Sequence, residues 1–162
     1  LSVTKNSEFL TLNFPSFKLK PIPITQKIIN AIGTKPQEAY IGADIVCVLK
    51  NEEEVRNIKP NFKIIQELEG VCFHVTARGK EFDCITRSFA PKCNVAEDPV
   101  CGRAHCHIIP LWTEKLKKIN LTAYQASSRG GILYCRTEKD RTIISGKAVL
   151  FSIAEIFVTQ DS

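Results

Sequence analysis
The sequence predicts an α+β fold in which mostly antiparallel strands curl as a barrel around one central helix. Three observations carry this. Short apolar runs that alternate in the strand manner recur along the chain, and a single long amphipathic pattern stands in its last third. The composition, 44% apolar with 8 Gly and 8 Pro in 162 residues, is that of an ordinary folded domain, read as one domain over 1–162. A helix as apolar as this one is not expected on the surface, and a sheet curled around it would bury both of its faces.

Phe9 to Phe14 alternates as a strand and stops at Pro15, and Phe17 to Pro23 reads as a proline-punctuated connector. Thr25 is placed to cap a short helix whose Ile28, Ile29 and Ile32 share a face, with Gly33 to end it. Within Ala39 to Leu49, the run Ile45 to Leu49 reads as a buried strand. Asn51 followed by three glutamates opens a short helical stretch, and a second spans Phe62 to Leu68 after Pro60, closed by Gly70. Val71, Phe73 and Val75 then share one strand face, and Phe82, Cys84 and Thr86 share another, joined by a hairpin turn at Ala77 to Lys80.

Pro91 to Pro99 leads into the main helix, Gly102 to Lys118, whose Ala104, Ile108, Leu111 and Leu116 lie near one stripe. Pro110 sits inside it and should kink or break it, because a mid-helix proline removes a hydrogen bond at a cost of about 3 kcal/mol. Leu121 to Ala126, Ile132 to Arg136, Thr142 to Ile144 and Val149 to Val158 complete the chain as four strands.

Twenty-two basic residues against 17 acidic give +5, but they are scattered, and Lys115 to Lys118 is too short to form a nucleic-acid stripe. A mildly anionic ligand fits this balance, and no nucleic acid is expected. With no apolar run of membrane length and no leader pattern in Leu1 to Lys5, neither a membrane span nor export is expected, which places the protein in the cytoplasm. Seven cysteines, an odd number set mostly in apolar runs, read as reduced, buried thiols. Methionine is absent, so Leu1 is not read as a translation start and a preceding segment is expected.

Reactive residue types are densest from Glu97 to His107. Asp98 before Pro99 suits a helix start, so one reading is a capped helix and nothing more. In the other reading, Cys101, Gly102 and Arg103 expose backbone N–H groups at the positive helix end, where a carboxylate can bind. Asp98 and Cys101 would then exchange a proton with the carbon beside that carboxylate. A thiol at that position would ionise early and alkylate faster than Cys47, Cys72 or Cys84. A zinc cage from Cys101, His105, Cys106 and His107 is not expected, because consecutive residues point in different directions and a distant loop would have to contribute. His74, on a strand, reads as structural, and Arg129-Gly130-Gly131 as a turn needing glycine dihedrals.

Thr86 to Pro91, Glu97 to Cys106 (EDPVCGRAHC), Pro110-Leu111-Trp112 and Gln125 to Gly131, in that order, resemble the phenazine-biosynthesis PhzF-like family over nearly the whole chain. The resemblance implies the diaminopimelate epimerase-like fold, two similar halves around a cleft, of which this chain is the second. It implies an isomerase or epimerase without metal or organic cofactor, acting on a small carboxylate-bearing metabolite. By the same resemblance the family's glutamate acid/base and a histidine lie in the half preceding Leu1, so the isolated chain should be inactive. Asp98 is the residue carried over as catalytic here, assisted by the helix start at Gly102.

Where this chain has Cys101 the family often has Thr, and where it has Arg103 the family usually has Ser, a substrate-holding position. Arg103 would pair a substrate carboxylate or obstruct the pocket. Cys101-Gly102 also resembles the catalytic pair of related epimerases and racemases, but buried small-residue packing is the role expected first for Cys101. A homodimer is expected, and the last strand is expected to pack onto the first half. A catalytically silent binding protein of the same fold is the alternative.

Overall fold
The computed structural model describes residues 2–156. Its strands are β1 (Ser2–Asn6), β2 (Phe9–Pro15), β3 (Lys20–Pro21), β4 (Glu38–Ile41), β5 (Ile45–Val48), β6 (Phe73–Arg78), β7 (Cys84–Ala90), β8 (Val95–Glu97), β9 (Asn120–Gln125), β10 (Gly131–Glu138) and β11 (Arg141–Lys147). The helices are α1 (Gln26–Ile32), α2 (Glu52–Asn57), α3 (Phe62–Gln66) and α4 (Gly102–Leu116).

Local chemistry explains the helix ends. The Thr25 hydroxyl accepts the Ile28 N–H and the Asn51 side chain accepts the Glu54 N–H, while Gly33 closes α1 at φ 73°. The strands form one sheet in the order β1-β2-β11-β10-β9-β7-β6-β5-β4-β3, with β8 beside β7. Only β5–β6 and β7–β9 run parallel, each needing a crossover. The segment holding α2 and α3 makes the first and α4 makes the second, on opposite faces of the sheet.

One interior lies between α1 to α3 and the sheet, built on Ile28, Ile32, Val55, Ile65, Phe73 and Phe89. The other lies around α4, which draws Tyr40 and Val48 from one end of the sheet and Ile144 from the other into a single cluster. Trp112 is 5% exposed and its Nε1–H donates to Thr76 Oγ1. The expected barrel closure is not made among the described residues, where the pairing path ends at β1 and β3. β3 is two residues long and Pro21 has no N–H to offer a further strand, while β1 is exposed throughout.

Other expectations need correction. α4 is one unbroken helix across Pro110, because the carbonyl that the proline leaves without a partner, that of Cys106, accepts the Phe17 N–H at 2.9 Å. Phe17 to Pro23 contains β3, Ala39 to Leu49 folds as two paired strands, and Pro91 to Pro99 holds β8 after a 3-10 turn. β1 carried no readable signal. Residues 148–156 form no strand, since a strand exists only where an edge pairs with it; residues 157 and 158 of that expected strand lie outside the described residues. No helix among the described residues is long and apolar enough to cross a membrane.

Candidate active site
The loop between β8 and α4 is held at fixed points on the sheet. Asp98 N–H donates to the Ser88 carbonyl at 2.9 Å, tying the loop to β7. Gln125, at the end of β9 and fully buried, clamps both of its ends: Oε1 accepts the Cys101 N–H at 2.7 Å, and Nε2 donates to the Asp98 carbonyl. Ser127 Oγ donates to the Pro99 carbonyl at 2.8 Å. Gly131 must be glycine here, because a Cβ would run into the Val100 side chain, and Gly130 beside it turns at φ 72°. The Ser-Ser-Arg-Gly-Gly segment is thus a turn, as expected, and its role is to seat the acidic loop.

The two acids of that loop have different fates. Glu97 faces Arg87 in a two-bond fork, Nε to Oε1 at 2.7 Å and Nη2 to Oε2 at 2.8 Å, while Arg87 Nη1 donates to carbonyls at the end of α2. Glu97 is committed to structure. Asp98 is half-buried; its Oδ1 accepts the Val100 N–H at 3.0 Å, which leaves the other oxygen for the Cys101 thiol or a ligand.

Asp98 does not cap α4. The cap is Cys101, whose Sγ accepts the Ala104 N–H at 3.4 Å, and Pro99 stands outside the helix. Cys101 is 4% exposed, in line with the packing role expected for it, and the alternative of an early-ionising thiol fails: burial, with the Asp98 charge adding to it, pushes its pKa up to about 12. Desolvation outweighs the helix end. The seven thiols are free, six are buried, and Cys93 is the exposed one. Gly102 is half-buried, and its N–H and that of Arg103 belong to the first turn, which has no intrahelical acceptor for them.

Arg103 projects from this turn and pairs with Asp44, a residue sequence reasoning passed over. Nε donates to Oδ2 at 2.5 Å and Nη2 to Oδ1 at 3.3 Å. Its guanidinium lies over the Phe17 ring, which stacks in turn on His107. The Asp44 side chain is fully buried while that of Arg103 is 40% exposed, so the pair joins the interior to the surface. Burial opposes Asp44 ionisation, but hydrogen bonds from His74, Arg103 and the Cys72 and Val71 amides outweigh it and hold its carboxyl far below the usual range. Gly70 lets the Val71 amide reach Asp44: it bridges Asp44 at φ 83°, where a Cβ would sit 2.8 Å from the Asp44 Cα.

Behind this surface His74, His105 and His107 are fully buried. His105 Nδ1–H donates to the Cys101 carbonyl and His107 Nδ1–H to the Arg103 carbonyl; burial pushes both pKa values down to about 4. The first-turn amides lie at a positive helix end, where a carboxylate is favoured, with the half-exposed Arg103 guanidinium projecting from the same turn and Asp98 in the loop that leads into it. Asp44 and the clamping role of Gln125 were missed because each is a lone polar residue on or beside a strand with no local signal; His74 was read as structural, and it is fully buried.

A family model described as phenazine biosynthesis-like protein, PhzC-PhzF, matches residues 2–154. An uncharacterized isomerase of Pseudomonas aeruginosa is 40% identical over 157 residues, 96% of this chain and 60% of its own length. An uncharacterized isomerase of Halalkalibacterium halodurans is 34% identical, over 98% of this chain and 61% of its own. The crystal structure of a PhzF-family protein from Enterococcus faecalis superposes with a TM-score of 0.91 at 44% identity, covering 96% of this chain and 60% of that one. This chain spans about 60% of the length of these relatives.

Proposed function
Because the chain belongs to the phenazine biosynthesis-like PhzC-PhzF family, we propose that it is the second half of an isomerase that moves a proton on a small carboxylate-bearing metabolite. The relatives named isomerases support the reaction class. The single observation that carries the reading is the start of α4, where first-turn amides without an intrahelical acceptor follow the Asp98 loop in the chain and Arg103 projects from the same turn. In this reading the amides and Arg103 hold the substrate carboxylate, Asp98 carries a proton to or from the adjacent carbon, and no metal or organic cofactor takes part. Cys101 serves as the cap that keeps the amides in place.

The second base comes from the half expected before Leu1, so the isolated chain has no turnover. The open sheet edges and the exposed apolar side chains Val149, Leu150, Phe151, Ile153 and Ile156 are the surface that meets that half. The protein works in the cytoplasm as a homodimer.

The test is solvent deuterium incorporation into candidate carboxylic acids by the intact two-half protein. Asp98→Asn should slow exchange by roughly 10²- to 10⁴-fold and leave folding intact, because an Asn oxygen still accepts the Val100 N–H. Exchange unaffected by Asp98→Asn would overturn the role of Asp98. Exchange by this chain alone at the rate of the intact protein would place the acid/base machinery here. Tight binding of a carboxylate with no exchange at all would favour a silent binding protein, with Arg103 as its anchor.

A further inference from the structure
We propose that Asp44, His74 and His107 form a buried site for a divalent transition-metal ion, with Asp44 Oδ2 and the Nε2 atoms of the two histidines as its ligands. This goes beyond the isomerase reading, whose proton transfer uses no metal. The three residues come from the start of β5, from β6 and from the second turn of α4, and all are fully buried. One ligand atom from each lies within 4.8 Å of the others; His74 Nε2 is 3.5 Å and His107 Nε2 3.9 Å from Asp44 Oδ2.

The protonation pattern is what points to a cation. A carbonyl can only accept, so the 3.0 Å contact between His107 Nδ1 and the Arg103 carbonyl puts the proton on Nδ1 and leaves Nε2 as a bare lone pair. That lone pair faces a carboxylate across 3.9 Å, and His107 Nε2 has no hydrogen-bond partner among the described residues. Buried acceptors left facing one another are costly, and a cation between them removes the cost. His74 can join, because the Ser88 hydroxyl, 3.1 Å from Nδ1, can accept a proton from the ring as readily as give one.

Each ligand is also held from behind, as metal ligands are. Ser88 holds the His74 ring and the Arg103 carbonyl holds the His107 ring. The Val71 and Cys72 amides donate to Asp44 Oδ1, and Arg103 Nε donates to Oδ2. Tetrahedral bonds of about 2.0–2.1 Å separate ligand atoms by about 3.3 Å, so the observed spacings close onto an ion with small side-chain shifts. Two imidazoles and one carboxylate suit zinc and its neighbours and leave one position open. The half-exposed Arg103 side chain covers the approach, so its displacement is the route of entry.

The probe is Zn²⁺ added to the metal-stripped intact protein with Cys93→Ser, in competition with a chromogenic chelator. One equivalent should bind, and X-ray absorption should show a nitrogen and oxygen shell with imidazole scattering and no sulfur. His107→Asn retains an N–H for the Arg103 carbonyl but deletes the ligand nitrogen, and should weaken binding roughly tenfold or more. The absence of stoichiometric binding, a sulfur shell, or unchanged affinity in His107→Asn would each overturn the site; the first means that a proton shared by His74 and Asp44 fills the cluster. If His107→Asn does not fold, the absorption spectrum of the unaltered cluster decides.

Discussion

The same central strands face two different interiors. Ile45, Cys47, Phe73, Val75, Ala77, Ile85 and Phe89 point to α1 through α3 and make a core that is apolar throughout. The alternate positions, Val46, Val48, His74, Thr76, Cys84, Thr86 and Ser88, point to the other face and mix apolar with polar side chains. Both interiors exclude water. The difference is that the face under α4 carries polar side chains, some with specific partners: Thr76 Oγ1 donates to the Ile85 carbonyl and accepts from Trp112, and Gln125 holds the acidic loop. The apolar face holds the sheet and the polar face positions a site, so damage to each should read out differently.

The largest effect is expected on the apolar face. Phe73→Ala removes a ring that is 1% exposed and should cost about 3–5 kcal/mol, measured by urea denaturation, with activity per folded molecule unchanged. A comparable loss of specific activity would mean that the two faces are not independent. On the polar face, Gln125→Leu strands the Cys101 N–H and the Asp98 carbonyl, at about 1–3 kcal/mol for a buried unsatisfied group. It should also speed hydrogen exchange at the Cys101 amide and lower turnover more than stability; an unchanged Cys101 amide would remove the clamp.

A third prediction tests what the faces share. Burial pushes Cys47 on the apolar face up to about 12, and raises Cys84 and Cys135 on the other. Their folded-state values lie above the unfolded one, so the protonated form favours folding below about pH 9 and that contribution is lost as pH rises, with the unfolded chain releasing protons first. Denaturation midpoints at pH 8 and pH 10 should fall, by up to about 1.4 kcal/mol per pH unit per thiol. Cys47→Val should flatten that slope by one thiol's share.

The smallest effect concerns α4 itself. A proline-to-alanine change in a helix interior ordinarily gains about 3 kcal/mol. Here Phe17 already satisfies the Cys106 carbonyl, so Pro110→Ala should shift stability by less than about 1 kcal/mol. A full gain in a thermal melt would show that the Phe17 contact contributes nothing.

Much of this was legible in residue order. Thr25, Gly33 and Asn51 cap where their chemistry requires, β5 follows its continuous apolar run, and β6, β7 and β9 to β11 fall where strand patterns were read. The family motif located the acidic loop and the helix beside it. What the period of two could not show is what covers the second face: in β6, the histidine and threonine of the alternating Phe-His-Val-Thr pattern are fully buried, with Thr76 bonded to Trp112 of α4. At Cys101, proximity to a helix end suggested a reactive thiol, but depth in the fold governs its ionisation.

By itself the sequence determined the features that act over a few residues: caps, strand periodicity, the glycine turn at Gly130 and the chemistry gathered from Glu97 to His107. Only the tertiary structure decided that Asp44 meets Arg103 across 59 positions of chain, that Gln125 clamps the loop, that Cys106 finds Phe17, and that the sheet stays open. The physical reason is range. Helix and turn preferences are settled by neighbours within about four residues, whereas a buried carboxylate or amide finds its partner only where the folded chain brings distant segments together and excludes water from both.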